Sequence, residues 1–290
     1  MSWRTVVISS SAKLDYQLGF MVIRKQEIVK IHISEIAIVI IETTAVSLTA
    51  ALLSELVKRK VKVIFCDEKR NPSSELLPYY GCHDTSMKIR RQMEWDAQNK
   101  AAVWTEIVSE KIRKQAEHLK EHGLEEAEML FGYLDEICFG DETNREGHAA
   151  KVYFNALFGM DFSRTAENST NAALNYGYGI ILSSFNREVV MNGYITQIGL
   201  FHDNMFNQFN LGCDLMEPFR PLVDRVVKKM KPEKFGHEEK VEILKILQQE
   251  VKIAGRREYI NNAIGIYCRS VFDALNDKDA SLIKFYRNEL

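Results

Sequence analysis

The chain has 290 residues, of which 46% are hydrophobic and 27% charged, a composition that excludes an intrinsically disordered protein. Its formal net charge of -2 also excludes a general polyanion binder, because affinity for nucleic acid comes from phosphate neutralisation by Lys and Arg. Any contact with DNA must therefore come from local basic patches.

The N-terminal residues do not show the basic segment followed by an apolar segment that a secretory signal has. The most apolar run, residues 36–41, is far too short to span a bilayer. Five cysteines lie far apart without a CxxC pair, namely Cys66, Cys82, Cys138, Cys213 and Cys268. This spacing argues against a disulfide framework and against a thiolate zinc site. We therefore expect a cytoplasmic protein with reduced cysteines and no membrane association.

The first part of the chain is rich in β-branched residues. The segments WRTVVIS, GFMVIR, IVKIHI and IAIVII predict short strands, and the interruption at residues 25–27 suits a hairpin turn. Ser47 is predicted to cap a helix, and a strand follows over residues 61–65. Residues 1–80 are thus expected to form a small N-terminal β-sandwich-like domain.

A cluster of turn-forming residues over 67–85 predicts an interdomain linker. Beyond it, the chain becomes rich in Lys, Gln, Glu and Ala, with a stop at His122-Gly123. This composition predicts a larger, all-helical C-terminal domain over residues 86–290. Its helices are expected at about 87–121, 124–138, 144–158, 168–200, 215–230 and 238–275. The expected fold class is α+β, mostly α.

Glu146 extends an apolar helix stripe. In the segment NREGHAAKVYFNALF, Glu146, Ala150, Tyr153 and Leu157 follow the 3.6-residue period and share one face. A buried carboxylate has to be paired, protonated or bound to a metal, because an uncompensated buried charge is costly. The alternative is a solvated acid in the first turn of its helix, where the helix dipole favours it.

Two further polar residues adjoin apolar helical segments. His202 ends a long apolar segment, where a lone histidine is usually a core or capping residue. Glu217 follows Asp214 by three positions, which is also the spacing of a helix capping box. However, Pro218 and Pro221 cannot donate backbone hydrogen bonds, so they predict a distorted turn that is held in place for another reason.

Together these residues provide two carboxylates and one imidazole on three helical segments. This is the composition of a Mg²⁺ or Mn²⁺ site with open coordination positions. The imidazole favours tolerance of Mn²⁺, whereas Mg²⁺ is the plentiful ion in cytoplasm. Glu146, His202 and Glu217 are therefore the candidate metal ligands and catalytic residues.

Basic residues near the candidate ligands suit a phosphate substrate. Residues 220–234 contain six Lys and Arg against two acids, which leaves a local charge of +4. A second basic cluster begins the helical part, and a solvated helix face is the alternative for both clusters. The candidate nucleic-acid contacts are Lys88, Arg90, Arg91, Arg220, Arg225, Lys228 and Lys229.

Several common enzyme motifs are missing from the sequence. It contains no P-loop, no GxGxxG, no GxSxG and no HExxH pattern. P-loop nucleotide hydrolysis, Rossmann cofactor binding and zinc peptidase chemistry therefore lose support.

Three blocks resemble the signature motifs of the CRISPR-associated spacer-acquisition integrase family, namely NREGHAAKVYFNALFG, LNYGYGIILSSF and GLFHDNMFNQFNLGCDLMEPFRPLVDR. The opening WRTVVISSSAKL and the segment VIFCDEKRNPSSELLPYYGCHD resemble the type II form, as in II-A systems. The resemblance covers nearly the whole chain, with the three motifs in the family's order.

The resemblance implies an N-terminal β domain used for homodimerisation and a helical domain that holds Mg²⁺ or Mn²⁺. The family's ligands fall on Glu146, His202 and Glu217, with Asp214 as a nearby second acid. The resemblance also implies an assembly in which two dimers flank a dimer of a small partner subunit and hold double-stranded DNA with 3′ overhangs. An RNA-guided effector nuclease and a ring-forming accessory protein are further expected partners.

The reaction that the resemblance implies joins the 3′-OH ends of a short duplex, the prespacer, to a CRISPR repeat at the leader-repeat junction by transesterification. Water can replace the 3′-OH at the same site. The residues alone therefore leave a metal-dependent, structure-specific DNA endonuclease as an alternative to the integrase. A non-catalytic DNA-binding scaffold, in which the acids only cap helices, is a third interpretation.

Overall fold

The computed structural model describes residues 4–79 and 81–288, so Trp3 and Tyr80 of the segments quoted above lie outside the described residues. The chain divides into two compact units between Gly81 and Cys82. The first unit is rich in β-strands and the second is mostly helical, which confirms the predicted α+β class.

The described part of the first unit contains two four-stranded sheets and one α-helix. The elements are β1 (Arg4–Ile8), β2 (Ala12–Gln17), β3 (Phe20–Arg24), β4 (Ile28–His32), β5 (Ile36–Ile41), β6 (Val46–Leu48), α1 (Ala50–Lys58), β7 (Lys62–Cys66) and β8 (Pro72–Leu76). The strand orders are β1-β5-β7-β8 and β4-β3-β2-β6. Both sheets contribute to one hydrophobic core, which includes Ile8 and Val39 from the first and Leu14 and Met21 from the second. This shared core agrees with the sandwich-like expectation.

Local pairing explains where the strand predictions hold and where they are wrong. Strands β3 and β4 pair antiparallel across residues 25–27, as predicted. The β-branched pattern misses β2, and β8 lies within the segment predicted to be a linker, where it pairs antiparallel with β7. Helix α1 is capped by Thr49 rather than Ser47, since the Thr49 hydroxyl accepts from the N–H of Leu52 at 3.3 Å.

A long, largely buried helix, α3, lies at the centre of the second unit. The helices are α2 (Thr85–Met93), α3 (Ala97–Glu121), α4 (Glu126–Glu136), α5 (Arg145–Phe158), α6 (Ser169–Met191), α7 (Asn210–Met216), α8 (Arg220–Met230), α9 (His237–Leu244) and α10 (Ile260–Asp277). Helix α3 packs against α4, α5, α8 and α10. Its N-terminus is capped by Asp96, which accepts from the N–H of Asn99 at 2.7 Å. It ends before His122-Gly123, as predicted.

The prediction of an all-helical second domain is wrong at residues 250–259. A hairpin of β9 (Glu250–Ile253) and β10 (Arg256–Tyr259) interrupts the predicted helix over 238–275. Ala254 and Gly255 form its turn with φ of 50° and 75°. The predicted helix over 168–200 ends earlier, at Met191, and leaves an irregular loop that carries His202.

Within residues 4–79 and 81–288, none of the helices combines the length and the apolar character needed to cross a bilayer.

Candidate metal centre

Glu146 lies in the first turn of α5, where upstream polar side chains hold the helix end. Asn144 caps the helix with φ of 54°, and its side chain accepts from the N–H of Gly147 at 3.3 Å. The buried Asp141 carboxylate accepts from the N–H groups of Arg145 at 2.8 Å and of Glu146 at 3.1 Å. The Glu146 side chain is 28% exposed, so it stands at the edge of the buried stripe.

Glu217 begins a single 3-10 turn, Glu217–Phe219, between α7 and α8. Asp214 lies inside α7, so the two acids do not form the capping box that their spacing allowed. The distorted turn predicted from the prolines is confirmed. Pro221 nevertheless occupies a tolerated first-turn position, because a new helix begins at Arg220.

Residues near the end of the described chain support this turn. Tyr286 is fully buried, and its hydroxyl donates to the carbonyl oxygen of Pro218 at 3.2 Å. Its ring centre lies 4.7 Å from that of Phe219. The ammonium group of Lys114 lies 4.6 Å from the same tyrosine ring. The Glu217 turn is therefore fixed by packing from α3 and from the C-terminal segment.

The carboxylates of Glu146 and Glu217 meet at the ammonium group of Lys111 on α3. Lys111 Nζ donates to Glu146 Oε1 and to Glu217 Oε2. The side chains of Lys111 and Glu217 are only 7% and 5% exposed. Arg220 Nε lies 2.9 Å from the second Glu217 oxygen, Oε1. Two carboxylates and two cations thus form one nearly neutral, largely buried cluster.

The charges in this cluster stabilise one another. Burial alone would raise the pKa of Glu217, but Arg220 and Lys111 outweigh burial and lower it. Burial alone would lower the pKa of Lys111, but Glu217 and Glu146 outweigh burial and raise it. Glu217 and Lys111 are therefore both charged at neutral pH.

His202 is held by Asp214, a fully buried residue of α7. Asp214 Oδ1 lies 2.5 Å from His202 Nδ1 and accepts from the His202 backbone N–H at 3.1 Å. Its Oδ2 accepts from the N–H groups of Leu200 at 2.6 Å and Phe201 at 3.1 Å. The hydrogen bond to Asp214 raises the pKa of His202, whereas burial opposes this effect. Because Nδ1 faces Asp214, Nε2 is the ring nitrogen that remains for a metal ion or a substrate.

The loop that carries His202 is shaped by close contacts on both sides. A Cβ at Gly199 would lie 2.4 Å from the His202 carbonyl oxygen and 2.6 Å from Asp214 Oδ2, so only glycine fits. On the other side, the rings of Trp104 and Phe201 stack with centres 4.6 Å apart and planes at 3°. The His202 ring packs edge-on against Trp104 at 5.9 Å.

The three candidate ligands share one region of the second unit. Glu146 and Glu217 contact the same ammonium group, and the charges of His202 and Glu217 influence each other's pKa. The ligand atoms of Glu146, His202 and Glu217 do not all lie within 4.8 Å of one another. In the part of the chain that the structure describes, the group of three ligand atoms within 4.8 Å of one another is instead Cys82, His83 and Asp84.

The donor set nevertheless fits a divalent cation. Two carboxylates and an imidazole are suitable ligands for Mg²⁺ or Mn²⁺. The Lys111 ammonium group shows that the position between the carboxylates already favours positive charge. The assignment of a metal ion to Glu146, His202 and Glu217 stays a prediction.

Sequence reasoning missed Lys111, although a signal for it exists. Val103 and Ile107 are buried on α3, and Lys111 continues their four-residue spacing. A lysine on a buried stripe requires an anionic partner, because an unpaired buried charge is costly. The stripe predicts that a partner exists, but not which residues provide it.

A second buried polar network adjoins the cluster. The Tyr178 hydroxyl donates to Asp224, and the Tyr153 hydroxyl lies 2.7 Å from His118 Nδ1. Burial raises the pKa of Asp224 to about 6 and lowers the pKa of His118 to about 3. Arg220 links the two networks, because its guanidinium lies 4.9 Å from the centre of the Tyr178 ring.

The predicted nucleic-acid contacts fall into two groups. Four of them are engaged within the protein, namely Lys88, Arg220, Arg225 and Lys228. Their respective partners are Asp84, Glu217, Glu121 and the carbonyl oxygen of Leu157. Three are exposed, namely Arg90, Arg91 and Lys229. The exposed three are the better placed to meet a DNA backbone, and their role stays a prediction.

Comparison with known proteins identifies the family. A family model described as CRISPR associated protein Cas1 matches residues 5–262. A relative from Neisseria meningitidis serogroup C, named CRISPR-associated endonuclease Cas1, is 36% identical over 229 residues, which cover 78% of this chain and 75% of the relative.

Solved structures share the fold at low sequence identity. A Cas1 protein from Thermotoga maritima has a TM-score of 0.76 at 17% identity, covering 94% of this chain and 97% of that one. A casposase bound to an integration product has a TM-score of 0.77 at 17% identity, covering 97% and 93%. Because the family match spans most of the sequence, the chain belongs to the Cas1 family of CRISPR-associated proteins.

Proposed function

We propose that this Cas1 family member is a metal-dependent DNA integrase of CRISPR adaptation. It joins the 3′-OH ends of short duplex prespacers into the CRISPR array at the leader-repeat junction. The observation that carries the proposal is the cation position between Glu146 and Glu217, beside an imidazole that Asp214 orients. Carboxylates and an imidazole placed in this way suit phosphodiester chemistry with Mg²⁺ or Mn²⁺.

Glu146, Glu217 and His202 Nε2 would hold the ion. When bound, Mg²⁺ or Mn²⁺ supplies Lewis acidity at an oxygen of the scissile phosphate. Asp214 keeps the His202 proton on Nδ1 and so leaves Nε2 as a ligand atom. Arg220 holds one oxygen of Glu217 and fixes the direction of the other.

Lys111 has a further role in the proposed reaction. Its ammonium group neutralises the two carboxylates in the ion-free protein and can donate to phosphate oxygens as negative charge develops on them. The incoming 3′-OH oxygen forms a bond to phosphorus, and the bridging oxygen of the target strand leaves as a new 3′-OH. No bond between DNA and protein forms in this scheme.

Several partners belong to the proposal. They are double-stranded DNA, a second copy of the chain bound through the N-terminal unit, and a small adaptation subunit. One fold neighbour is a casposase bound to an integration product, and another is a Cas6-RT-Cas1–Cas2 complex. An RNA-guided effector nuclease and a ring-forming accessory protein complete the expected partners, all in the cytoplasm.

A second candidate function is a metal-dependent, structure-specific DNA endonuclease. The Neisseria relative carries the name endonuclease, and water can replace the 3′-OH at the same site. The residues of the cluster would have the same roles in integration and in hydrolysis. Only the reaction products distinguish the two functions.

The test supplies a short duplex with 3′-OH ends, a supercoiled target with a CRISPR repeat, Mn²⁺ or Mg²⁺ and the small subunit. Joined products are expected from the unmodified protein and from the control variant Glu142→Ala, which removes an exposed carboxylate just before α5. They should be lost in Glu146→Ala. Joining that persists in Glu146→Ala would contradict the metal centre. Hydrolysed ends alone would support the endonuclease, and bound DNA without any product would support the scaffold.

A further inference from the structure

Three side chains of the kinds that bind metal ions adjoin one another where the chain enters the second unit. The thiol of Cys82, the ring of His83 and the carboxylate of Asp84 each place a ligand atom within 4.8 Å of the other two. All three residues directly precede α2, which begins at Thr85. Thiolate, imidazole and carboxylate are the three kinds of ligand that Zn²⁺ takes in proteins. The cluster shares no residue with the candidate metal centre, and the roles assigned above leave it unused.

Asp84 occupies the N-cap position of α2, but its carboxylate does not cap the helix. An aspartate in this position normally accepts from a backbone N–H of the first turn, as Asp96 does at the start of α3. The Asp84 carboxylate instead accepts from the Cys82 thiol, with Sγ 2.7 Å from Oδ1. The side chain is therefore turned towards the cluster, and the helix lacks the hydrogen bond that this residue could provide.

Contacts within the second unit hold Cys82 and leave His83 free to move. The Thr85 hydroxyl donates to the carbonyl oxygen of Cys82 at 2.9 Å. Gly193 has φ of 86°, and a Cβ there would lie 3.2 Å from the Cys82 Cβ, so the two segments pack closely. His83 is exposed, and its ring has no hydrogen-bond partner among residues 4–79 and 81–288. A fixed thiol thus lies beside an imidazole that can turn towards it.

Lys88 shows that the cluster favours positive charge. Its ammonium nitrogen lies 3.4 Å from Asp84 Oδ1 and 3.5 Å from Cys82 Sγ. A cation therefore already accompanies this thiol and carboxylate, as Lys111 accompanies Glu146 and Glu217. An N–H donor that faces the sulfur is also a suitable outer partner for a metal-bound thiolate, because hydrogen bonds to ligands orient them.

We propose that Cys82, His83 and Asp84 bind a Zn²⁺ ion. Ligand distances of roughly 2.0–2.3 Å place the ligands of a tetrahedral zinc ion roughly 3.5 Å apart. The present separations, all within 4.8 Å, require only small shifts to reach this arrangement. The Cys82 thiol releases its proton to solvent when the ion binds. Lys88 then leaves Asp84 and donates to the thiolate, and water fills the fourth position.

Other occupants suit these residues less well. A phosphate or another anion would meet Lys88 but would be repelled by the Asp84 carboxylate. Mg²⁺ prefers oxygen ligands and makes no use of the thiol. The spacing of the cysteines argued against a site with paired thiolates, and the proposed site needs only one.

The ion would stabilise a helix that supports the loop leading to His202. Gln92 of α2 donates to the carbonyl oxygens of Ile195 at 2.9 Å and Ile198 at 3.0 Å. It also accepts from the N–H of Ile195 at 2.9 Å. The proposed zinc ion is thus structural, and it does not depend on the proposed function, because no DNA takes part in its binding.

The experiment titrates the full chain with Co²⁺ under reducing conditions, with excess Mg²⁺ present to occupy sites made of oxygen ligands. Cobalt replaces zinc in tetrahedral sites, and a thiolate ligand gives it a charge-transfer absorption band. The band is expected in the unmodified protein and in Glu146→Ala, and it should disappear when Zn²⁺ is added. It should be lost in Cys82→Ser. Cys138→Ser is the matched control, because Cys138 is an exposed thiol outside the cluster, and it should retain the band.

Zinc affinity, measured by competition with a chromogenic chelator, gives a second readout. His83→Asn should weaken zinc binding by at least about 100-fold, since even the outer partners of metal ligands contribute 10- to 100-fold. Because His83 is exposed, this variant tests the site even if Cys82→Ser fails to fold. His237→Asn, which changes an exposed histidine at the start of α9, should keep the original affinity.

Three outcomes would overturn the zinc site. They are the absence of a band in the unmodified protein, a band that survives Cys82→Ser, and equal zinc affinities in His83→Asn and His237→Asn. A band in the unmodified protein without any ion-dependent joining or cleavage of DNA would support the zinc site and overturn the proposed function.

Discussion

Asp214 accepts hydrogen bonds from both the ring and the backbone of His202, at 2.5 Å from Nδ1 and 3.1 Å from the backbone nitrogen. The same carboxylate also receives the two preceding N–H groups of the loop. The irregular segment that carries the candidate ligand is therefore built around one buried anion.

Asp214→Asn should reduce ion-dependent DNA joining by about 10- to 100-fold, the usual effect of removing the residue that orients a metal-bound histidine. The amide keeps the size of the side chain but cannot accept all the hydrogen bonds that now converge on it. The pKa of His202 should also fall, because its hydrogen bond to Asp214 raises it. Joining rates and an NMR titration of the ring measure the two effects.

The control for this prediction is Asp135→Asn, which changes an exposed acid on α4. It should leave both the joining rate and the His202 titration unchanged. An unaltered His202 pKa in Asp214→Asn would show that the carboxylate does not control the ring.

Lys111→Met should destabilise the ion-free protein by about 3–5 kcal/mol, because it leaves two carboxylates close together without their shared cation. Mn²⁺ can replace the lost charge. At about 100 times its dissociation constant, it should restore roughly 2.7 kcal/mol. Denaturant unfolding with chelator and with Mn²⁺ measures both quantities.

Lys114→Met is a close control, since Lys114 is equally buried on the same helix but pairs with Glu110 and Glu117. It should also destabilise the protein, but at the same Mn²⁺ concentration it should recover less stability, because Lys111 still occupies the position between the two carboxylates and competes with the ion. Equal recovery of Lys111→Met and Lys114→Met would argue against a cation position between Glu146 and Glu217.

His118→Gln should make the protein less sensitive to acid. Burial lowers the pKa of His118 from 6.5 to about 3, so between these values the unfolded chain binds a proton that the folded chain does not. The folded state therefore loses stability as the pH falls from 6.5 towards 3. Between pH 6.5 and 5, the decrease in the free energy of unfolding should be smaller by about 2 kcal/mol in His118→Gln than in the unmodified protein. Urea unfolding at several pH values measures this difference.

Asp224 changes the pH dependence of folding stability in the opposite direction. Its effect is removed by comparing the unmodified protein with the His118→Gln variant, since both contain Asp224. Its pKa of about 6 exceeds the ordinary value of 3.8, so the folded state gains stability as the pH falls from 6 towards 3.8. Both proteins retain Asp224, and the difference between their pH profiles therefore reports on His118. Parallel profiles would contradict a neutral, buried His118.

Replacing Arg90, Arg91 and Lys229 together by Ala should weaken binding to duplex DNA at every sequence. The slope of log affinity against log salt should decrease by roughly 0.9 for each lost phosphate contact. A matched triple variant changes the exposed cations of the β9–β10 hairpin, Lys252, Arg256 and Arg257, and should keep the original slope. Equal slopes in both variants would remove the first three residues from the DNA-binding surface.

The strands that could be predicted are those that are buried and β-branched. All six residues of β5 are buried, and its sequence IAIVII shows this directly. By contrast, β8 has the sequence PSSEL and lies at the edge of its sheet, where Pro72 needs no ladder hydrogen bond. Its strand structure comes from pairing with β7, which no local pattern reveals.

The β9–β10 hairpin was predictable in part. The sequence EVKI alternates exposed and buried residues, which is the period of a strand. Its Lys and Glu are also compatible with a helix, and the Ala254-Gly255 turn lacks the Asn-Gly or Asp-Gly signal. The two-residue period of β9 lasts for only four residues and is flanked by helical patterns, so the sequence alone did not reveal the strand.

For the candidate site, the sequence predicts residue types better than their contacts. The two carboxylates, the imidazole and the distorted proline turn could all be predicted. The bond between Lys111 and Glu217 joins residues 106 positions apart, and only tertiary packing brings them together. Asp214 likewise does not cap a helix: its carboxylate accepts hydrogen bonds from backbone N–H groups of the loop that carries His202.

The support that Tyr286 gives to the Pro218 carbonyl has a consequence for biosynthesis. The two residues are 68 positions apart, so during translation the Glu217 turn emerges well before the tyrosine that packs beneath it. Domains acquire their tertiary packing when the segments that complete it become available. A ribosome-bound chain that stops short of Tyr286 therefore has its acidic residues but no fixed geometry for them. The fixed geometry of the Glu217 turn therefore arises only after the chain has been synthesised as far as Tyr286.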